Sequence, residues 1–546
     1  MPAHRNRPAR TRLARAGSRW AVRRRSVVLK NGIPAAGGGS TAYVPVPLEW
    51  RGTTRQVCGL FPWSAPGQLP LEGAPIGRHQ SSRAVVCFDH VSWFLAHRIA
   101  NPSVLILAKP GLGKSTLSSK LMLWLAGCGY TLLIPGDTKP DYVELTHKLG
   151  GEHRVVARSG GAALNPCDPG GMAAAAARLT AAGRAAAGAT LLAEAIGRAT
   201  VCVSALVELG RKGPVADYEE AAIAACLRLA HATVDREPLL RDLERLLAAR
   251  PDPVRDVLLA GDDDAEYDRL VKPLQRSLRA LLDGQFGDVF ARRVDRSGDR
   301  PPVVNIDTSR IKAGDPRFLA AVMIAAWSDL YGMVEADQAL ADEQLAPRRR
   351  YCLTLDELWR VLRLGGTMPD RVNELTRLNR TQGVGQIMIT HSIRDLAPGR
   401  TSEIEGIEER AGAIVIGGVP KKELTALDTV VTLTQAEQAA IRDWWSTSVS
   451  ALERNEVPPG AGKFLIKASS EDPGIPVDVV LTTVETAWGG QNTNRAWTTA
   501  TTTGTGGWRS GARAGLTAAH GGTDGADGAD GADGADGADG VGGGAA

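Results

Sequence analysis

A short glycine-rich stretch in the first quarter of the chain carries residue types that bind phosphate. Its residues, in order, are Ala108, Lys109, Pro110, Gly111, Leu112, Gly113, Lys114, Ser115 and Thr116. Glycines let a backbone turn tightly enough to point successive N–H groups at a phosphate. The spacing fits A/G-x-x-x-x-G-K-[S/T], in which the lysine contacts the β- and γ-phosphates and the hydroxyl binds Mg²⁺. The stretch therefore predicts a site for ATP and Mg²⁺, with Lys114 acting in catalysis and Ser115 as a magnesium ligand.

The same residues also fit a simple glycine turn before an amphipathic helix, in a chain with 62 glycines. The flanks favour phosphate binding, because an apolar strand at 103–108 precedes the loop and a helix at 115–126 follows it. This order is the structural context that the motif requires. The start of the helix also adds the positive end of its dipole.

Two adjacent carboxylates follow a second apolar run, at 351–355. The carboxyl end of a strand is where open α/β sheets bind their ligands. Asp356 is expected to hold the magnesium ion through its water shell, and Glu357 to activate the attacking water as general base. Acidic residues also often begin a helix, so the pair gains its meaning from the glycine loop. The adjacent glutamate favours a hydrolase over a small-molecule kinase.

Two further places carry polar residues with a candidate catalytic role. His391 follows the apolar run 386–390, where it can hydrogen-bond the γ-phosphate or the attacking water. The alternative is a helix-capping pair with Ser392, but the position of His391 directly after the strand favours the catalytic role. Arg377 and Arg380 end the predicted helix 369–380, from which an arginine can reach the phosphate of a neighbouring subunit. Arginines placed against the negative end of a helix would look the same.

The elements around these residues alternate between strand and helix, which predicts an α/β fold with a parallel sheet covered on both faces. The predicted strands after the loop are 131–134, 302–306, 351–355, 386–390 and 413–416, with a late pair at 463–467 and 477–481. Between about residues 170 and 282 alanine, leucine and arginine recur at helical spacing. We expect this region to be an all-helical insertion in the α/β core.

These patterns divide the chain into six segments. They are a basic flexible arm at 1–40, a small β-rich segment at 41–98, the first core part at 99–169, the helical insertion at 170–299, the second core part at 300–497, and a disordered tail at 498–546. About ten basic and no acidic residues lie between Arg5 and Lys30. Such an arm either increases solubility or docks to DNA or anionic lipid.

Composition narrows the class of protein. The 546 residues are 43% hydrophobic and carry a net charge of +4, too little to indicate a nucleic-acid partner by itself. Seven scattered cysteines without a C-x-x-C pair indicate reduced thiols and neither a disulfide framework nor a zinc site. The most apolar stretch, Phe318–Trp327, is short of the roughly 18–20 residues that span a bilayer. The basic N-terminus lacks an apolar signal core, so we expect a cytoplasmic protein, peripheral at the inner face of the cell membrane.

An ordered set of segments carries a resemblance to a known family. The segments are A-K-P-G-L-G-K-S-T, I-P-G-D-T-K-P-D-Y, A-L-N-P-C-D-P, L-D-E-L-W-R-V-L, L-T-R-L-N-R-T-Q-G-V-G and T-H-S-I-R-D-L. Together they resemble the conjugative-transfer ATPases, the type IV secretion P-loop proteins of the TraC/TraG type, related to the HerA–FtsK translocases. The shorter ATP-binding proteins of actinobacterial mobile elements are most similar. The resemblance covers about residues 59–497.

The resemblance implies a RecA-like core with a helical insertion, working as a ring of six subunits. It implies that Asp356 holds magnesium and that Glu357 activates water. It also implies that Arg380 corresponds to the arginine of an R-K-x-G segment, with Thr381 in place of the lysine. His391 stands where many relatives have a sensor glutamine. The region before the loop is short, so we expect the chain to lack most of the long N-terminal domain of the larger secretion ATPases.

The function expected from this set is an ATP-hydrolysing motor of a conjugation-like DNA-transfer system, moving DNA or protein. Its expected partners are five further copies of the chain, DNA, and a membrane-bound transfer complex. Two alternatives stay open from the sequence. One is an FtsK-like pump of double-stranded DNA without a secretion channel. The other is a slow, nucleotide-gated assembly factor that moves nothing.

Overall fold

The computed structural model describes residues 69–284, 286–296, 299–312, 314–356, 383–392, 411–428, 431–445, 460–468 and 472–488. Several predicted features lie outside these residues. They are the arm at 1–40, the tail at 498–546, and the residues Glu357, Arg377 and Arg380. These remain predictions.

Eleven strands of the described residues form one sheet. They are β1 Pro75–His79, β2 Val85–Cys87, β3 Ser103–Leu107, β4 Tyr130–Asp137, β5 Glu152–Val155, β6 Val303–Asp307, β7 Arg350–Asp356, β8 Val384–Thr390, β9 Ala413–Ile416, β10 Lys463–Lys467 and β11 Ile475–Val479. Their order across the sheet is β2-β1-β11-β10-β9-β3-β8-β7-β4-β6-β5. From β9 to β5 all neighbours are parallel, and from β9 to β2 all are antiparallel.

The described helices lie between these strands along the chain, except the last, which follows β11. They are α1 His90–Leu95, α2 Lys114–Gly127, α3 Val143–Lys148, α4 Met172–Ala181, α5 Ala185–Arg211, α6 Asp217–Thr233, α7 Leu240–Ala249, α8 Asp252–Leu258, α9 Asp264–Asp283, α10 Gly287–Phe290, α11 Pro316–Asp342, α12 Lys421–Leu427, α13 Gln435–Trp445 and α14 Thr483–Trp488. A 3₁₀ turn, Pro169–Gly171, precedes α4. Helices α4 to α10 all lie between strands β5 and β6.

Strand β3 shows how the sheet acquires two covered faces. All five of its residues are buried. Val104 and Ile106 belong to the same apolar cluster as Leu117 of α2, whereas Leu105 and Leu107 belong to the cluster that contains α11. Successive side chains of a strand point to opposite faces, so a continuous apolar run is what burial on both faces requires. The predicted α/β class is confirmed.

The strand register brings the ends of five strands to one edge. Leu107 of β3 pairs with Thr390 of β8, and Ile389 of β8 pairs with Asp356 of β7. Farther along the sheet, Asp137 of β4 pairs with Asp307 of β6. Because these strands are parallel, their carboxyl ends share one edge, where α/β sheets bind ligands.

Buried charges join the helical region to the sheet. Asp329 of α11 is 3% exposed and accepts hydrogen bonds from Arg154 of β5, at 3.3 Å, and from the backbone N–H of Gly170, at 3.0 Å. It also forms an ion pair with Arg296, which follows α10. A charge buried in this way is tolerated only with such partners, so the network fixes how these segments meet.

Two described helices, α5 and α11, are long and apolar enough to cross a membrane by length and composition. The expectation that no stretch approaches this length is thus corrected, since it counted only uninterrupted apolar residues. The apolar window of α11 is 100% buried within the protein and that of α5 is 61% buried. Helix α11 is therefore a core helix that covers one face of the sheet.

Candidate functional site

The glycine loop between β3 and α2 owes its shape to two left-handed residues. Gly111 has φ 83° and Gly113 has φ 94°, values that glycine adopts at no steric cost. Helix α2 begins directly afterwards, at Lys114. The turn therefore exposes the N–H groups at the start of α2 toward the edge where the strands end, an arrangement that binds anions.

Neighbouring loops hold this turn in place. The backbone N–H of Lys109 donates to Gly418 O at 3.0 Å, and Leu112 O accepts from the N–H of Gly462 at 3.0 Å. The ammonium group of Lys109 lies 4.0 Å from the ring centre of Trp445, at the end of α13. The loop is thus braced by segments that follow it by some 300 residues or more in sequence. Trp445 was not predicted from the sequence, because nothing in its surroundings indicates this contact.

Lys114 meets one of the other predicted site residues. Its ammonium group donates to Ala108 O at 2.6 Å and lies 2.7 Å from His391 Nδ1, while the side chain is largely buried. An ammonium group has no acceptor, so His391 Nδ1 accepts and its ring proton is on Nε2. His391 lies at the tip of β8, between the ends of β3 and β7. The structure thus brings together the lysine and the histidine that sequence reasoning chose separately.

Ser115 has a partner that the sequence reasoning missed. Its hydroxyl donates to Asp141 Oδ2 at 2.7 Å. Asp141 lies in the segment between β4 and α3, within the run I-P-G-D-T-K-P-D-Y that carries part of the family resemblance. The run places two aspartates at and after the end of a predicted strand, and this was the signal available in the sequence. The distance between Ser115 and Asp141 along the chain hides their contact.

Asp137, at the end of β4, determines the shape of this segment. Its carboxylate accepts hydrogen bonds from the backbone N–H groups of Asp141, at 2.9 Å, and Tyr142, at 3.0 Å. The side-chain amide of Asn305, on β6, donates to it at 3.2 Å. Asp137 is 1% exposed, and this burial raises the pKa of its carboxyl group to about 7. Sequence reasoning found no role for Asp137, and the structure gives it one in the backbone turn.

Tyr142 connects the same segment to the acidic strand. Its hydroxyl donates to Asp356 Oδ2 at 3.2 Å, and its ring is fully buried. Asp356 is the last residue of β7, as the sequence predicts for a carboxylate at a strand end. One short segment, 137–142, therefore contacts both Ser115 and Asp356.

The donor set at this edge suits magnesium. The hydroxyl of Ser115 and the carboxylate of Asp356 are hard oxygen ligands, which Mg²⁺ prefers, and Mg²⁺ characteristically takes one or two carboxylates and keeps several waters. Lys114 adds a positive charge beside them, where phosphate oxygens would lie. The residues present thus fit a magnesium nucleotide.

The comparisons with known proteins concern the fold. No family model matches the chain, and no curated protein matches it. Among solved structures, that of VirB4 of Thermoanaerobacter pseudethanolicus matches with a TM-score of 0.54 and 18% identity, over 77% of this chain and 100% of that one. The chain has the fold of VirB4. The predicted resemblance is thereby confirmed at the level of the fold.

Other solved structures match at lower TM-scores. The plasmid coupling protein TrwB, solved with the non-hydrolysable ATP analogue ADPNP, matches at a TM-score of 0.42 and 14% identity, over 77% of this chain and 97% of that one. TrwB was also solved with ADP and Mg²⁺.

Two residues expected to complete the site of this P-loop fold lie outside the described residues. Glu357 directly follows Asp356 in the sequence. Arg380 precedes β8 by a few residues. Their roles as general base and as an arginine acting on a neighbouring subunit remain predictions.

Proposed function

We propose that this chain is an ATP-hydrolysing motor of a conjugation-like, type IV secretion-related DNA-transfer system. The observation that carries the proposal is that Ser115 and Asp356 both bond to segment 137–142, and Lys114 to His391, at one edge of a parallel sheet with the VirB4 fold. Binding of ATP and Mg²⁺ is the chemistry this edge supports best. Coupling to movement of DNA or protein is the step that the fold resemblance suggests.

Lys114 would bind the β- and γ-phosphates. Its ammonium group now contacts a neutral carbonyl oxygen of Ala108 and a neutral ring nitrogen of His391. Phosphate oxygens are negatively charged, so they attract this ammonium group more strongly than either neutral acceptor does. Released from Lys114, His391 Nδ1 becomes an acceptor for the attacking water or for a donor beside the γ-phosphate.

Ser115 and Asp356 would hold Mg²⁺, which when bound neutralises charge on the β- and γ-phosphates. Glu357 would take the proton of the attacking water as general base. Arg380 would reach the phosphate bound by the next copy in a ring of six subunits. Each site would then be complete only in the assembly. We place such a ring in the cytoplasm, at the inner face of the membrane, beside a membrane-bound transfer complex.

The central test compares ATP binding and hydrolysis by the full-length chain and its variants. Lys114→Ala should lose ATP binding and turnover. Glu357→Gln should bind ATP normally but hydrolyse it slowly, because the base is gone. Lys148→Ala, which removes an exposed lysine of α3, is the matched control and should behave as wild type. Wild-type turnover by Lys114→Ala would disprove the proposal, and wild-type turnover by Glu357→Gln would disprove only the general-base role.

A further inference from the structure

The hydroxyl group of Ser115 can bind a metal ion only with an oxygen lone pair. Its proton must then point away from the metal, toward an acceptor. Asp141 Oδ2 is such an acceptor, 2.7 Å from Ser115 Oγ. A negatively charged acceptor also makes the hydroxyl oxygen more electron-rich, which strengthens its bond to a cation. Asp141 therefore has the geometry and the charge to orient Ser115.

Asp356 is oriented in a similar way from the same segment. Tyr142 donates its hydroxyl proton to Asp356 Oδ2 at 3.2 Å. The bond fixes the rotation of the carboxylate at the end of β7. Because the Tyr142 ring is fully buried, the donor itself has little freedom to move.

Asp137 makes these two contacts possible at once. It binds the N–H groups of two consecutive residues, Asp141 and Tyr142, one on each carboxylate oxygen. Its own backbone carbonyl accepts from the N–H of Thr308 at 2.9 Å, which ties the segment to the end of β6. The turn is thus anchored to two strands of the sheet.

We propose that segment 137–142 is the element that orients the magnesium site, with Asp141 and Tyr142 as positioning residues for Ser115 and Asp356. The inference rests on the proposed function, since it assigns residues to the same metal site. It extends the site to a third element, beyond the glycine loop and the acidic strand. Groups that orient metal ligands typically contribute about 10–100-fold to metal affinity.

The test measures how Mg²⁺ strengthens the binding of a fluorescent ATP analogue to the full-length chain. Magnesium is titrated against protein and nucleotide, and a parallel titration is made in EDTA. Asp141→Asn should raise the Mg²⁺ concentration at half effect by about 10–100-fold, and Tyr142→Phe by about tenfold. Affinity in EDTA should stay the same or rise for Asp141→Asn, because one negative charge beside the phosphates is removed.

Matched substitutions elsewhere separate orientation from general damage. Asp262→Asn makes the same change at an exposed residue, and Tyr351→Phe removes a buried hydroxyl that donates to Asp337. Both should keep the wild-type Mg²⁺ dependence. Asp141→Glu keeps a carboxylate acceptor and should lie between wild type and Asp141→Asn. Thermal melting of each variant shows that it is folded, and Tyr142→Phe carries the test should Asp141→Asn fail to fold.

The outcomes distinguish the two proposals. A wild-type Mg²⁺ midpoint in both Asp141→Asn and Tyr142→Phe would overturn the orienting role, while nucleotide binding by wild type would leave the proposed function intact. Absence of nucleotide binding by the wild type, with and without Mg²⁺, would overturn the proposed function itself.

Discussion

The carboxyl group of Asp137 combines a structural role with an electrostatic cost. Burial raises the pKa of this carboxyl group to about 7, although three hydrogen-bond donors act to lower it. The nearby carboxylate of Asp141 adds to the rise. The ordinary value is 3.8. Between these two values the folded protein holds a proton that the unfolded chain has lost. Stability from this group is therefore present at low pH and falls as the pH rises from about 4 to about 7.

Asp137→Asn should remove this pH dependence. The amide does not titrate, so the melting temperature of the variant should change less than that of wild type between pH 4.5 and 7.5. One of the two backbone N–H groups then faces an NH₂ group, which should cost about 1–3 kcal/mol at every pH. Melting curves of both proteins across this range provide the measurement. Asp262→Asn, at the surface, should run parallel to wild type, and parallel curves for Asp137→Asn would contradict the raised pKa.

At the residue level, spacing identifies the groups that belong to a fixed local pattern. Lys114 and Ser115 follow from the glycine loop, and Asp356 and His391 from their places directly after apolar strands. Asp141 could not be found this way. Its contact with Ser115 depends on a turn formed by hydrogen bonds to the Asp137 side chain, and single-sequence periodicity carries no information about such a turn.

Among the elements, buried strands were the easiest to predict. The run at 103–108 is observed as Ser103–Leu107 and the run at 302–306 as Val303–Asp307, because both consist mainly of apolar residues that the fold buries. Strand Glu152–Val155 was missed, since it lies at the sheet edge and its residues are all half-buried and mostly polar. Strand Pro75–His79 was missed too. It pairs so closely with strand β11 that a Cβ atom at Gly77 would lie 2.0 Å from the backbone oxygen of Asp478.

Gly170 provides a test of how the helical region meets the core. Its φ is 67°, and a Cβ there would lie 1.9 Å from the backbone nitrogen of Met333 in α11. Gly170→Ala should therefore cost about 1 kcal/mol for the left-handed conformation and a further 1–3 kcal/mol for overpacking. Chemical denaturation measures the loss.

Gly183→Ala is the control for this substitution. Gly183 has φ 81°, and a Cβ there would meet no atom within 4 Å. Its replacement should show the conformational cost of about 1 kcal/mol alone. Equal losses for the two variants would mean that α11 gives way at Gly170 and that the contact is not tight.

At the level of the whole molecule, the described site occupies one edge of the sheet, and the residues that reach it come from β3, β4, β7 and β8 with their following loops. Arg380, if it acts between subunits, would make each site depend on a neighbouring copy. ATP turnover per subunit should then rise with protein concentration as copies assemble, because each active site needs an arginine from its neighbour.

Two measurements test the assembly and its substrate together. They are the molecular mass of the assembly and the rate of ATP turnover with and without DNA. For a DNA motor we expect a six-copy mass with ATP and Mg²⁺, and turnover that rises severalfold with DNA. Phosphate contacts release counterions, so DNA affinity should fall by about a thousandfold between 50 and 200 mM salt for six contacts. Lys114→Ala, which is expected not to turn over ATP, is the control for contaminating activity.

Stimulation by double-stranded DNA but not by single-stranded DNA would favour an FtsK-like pump. Slow turnover that DNA leaves unchanged would contradict a DNA motor and favour a nucleotide-gated assembly factor.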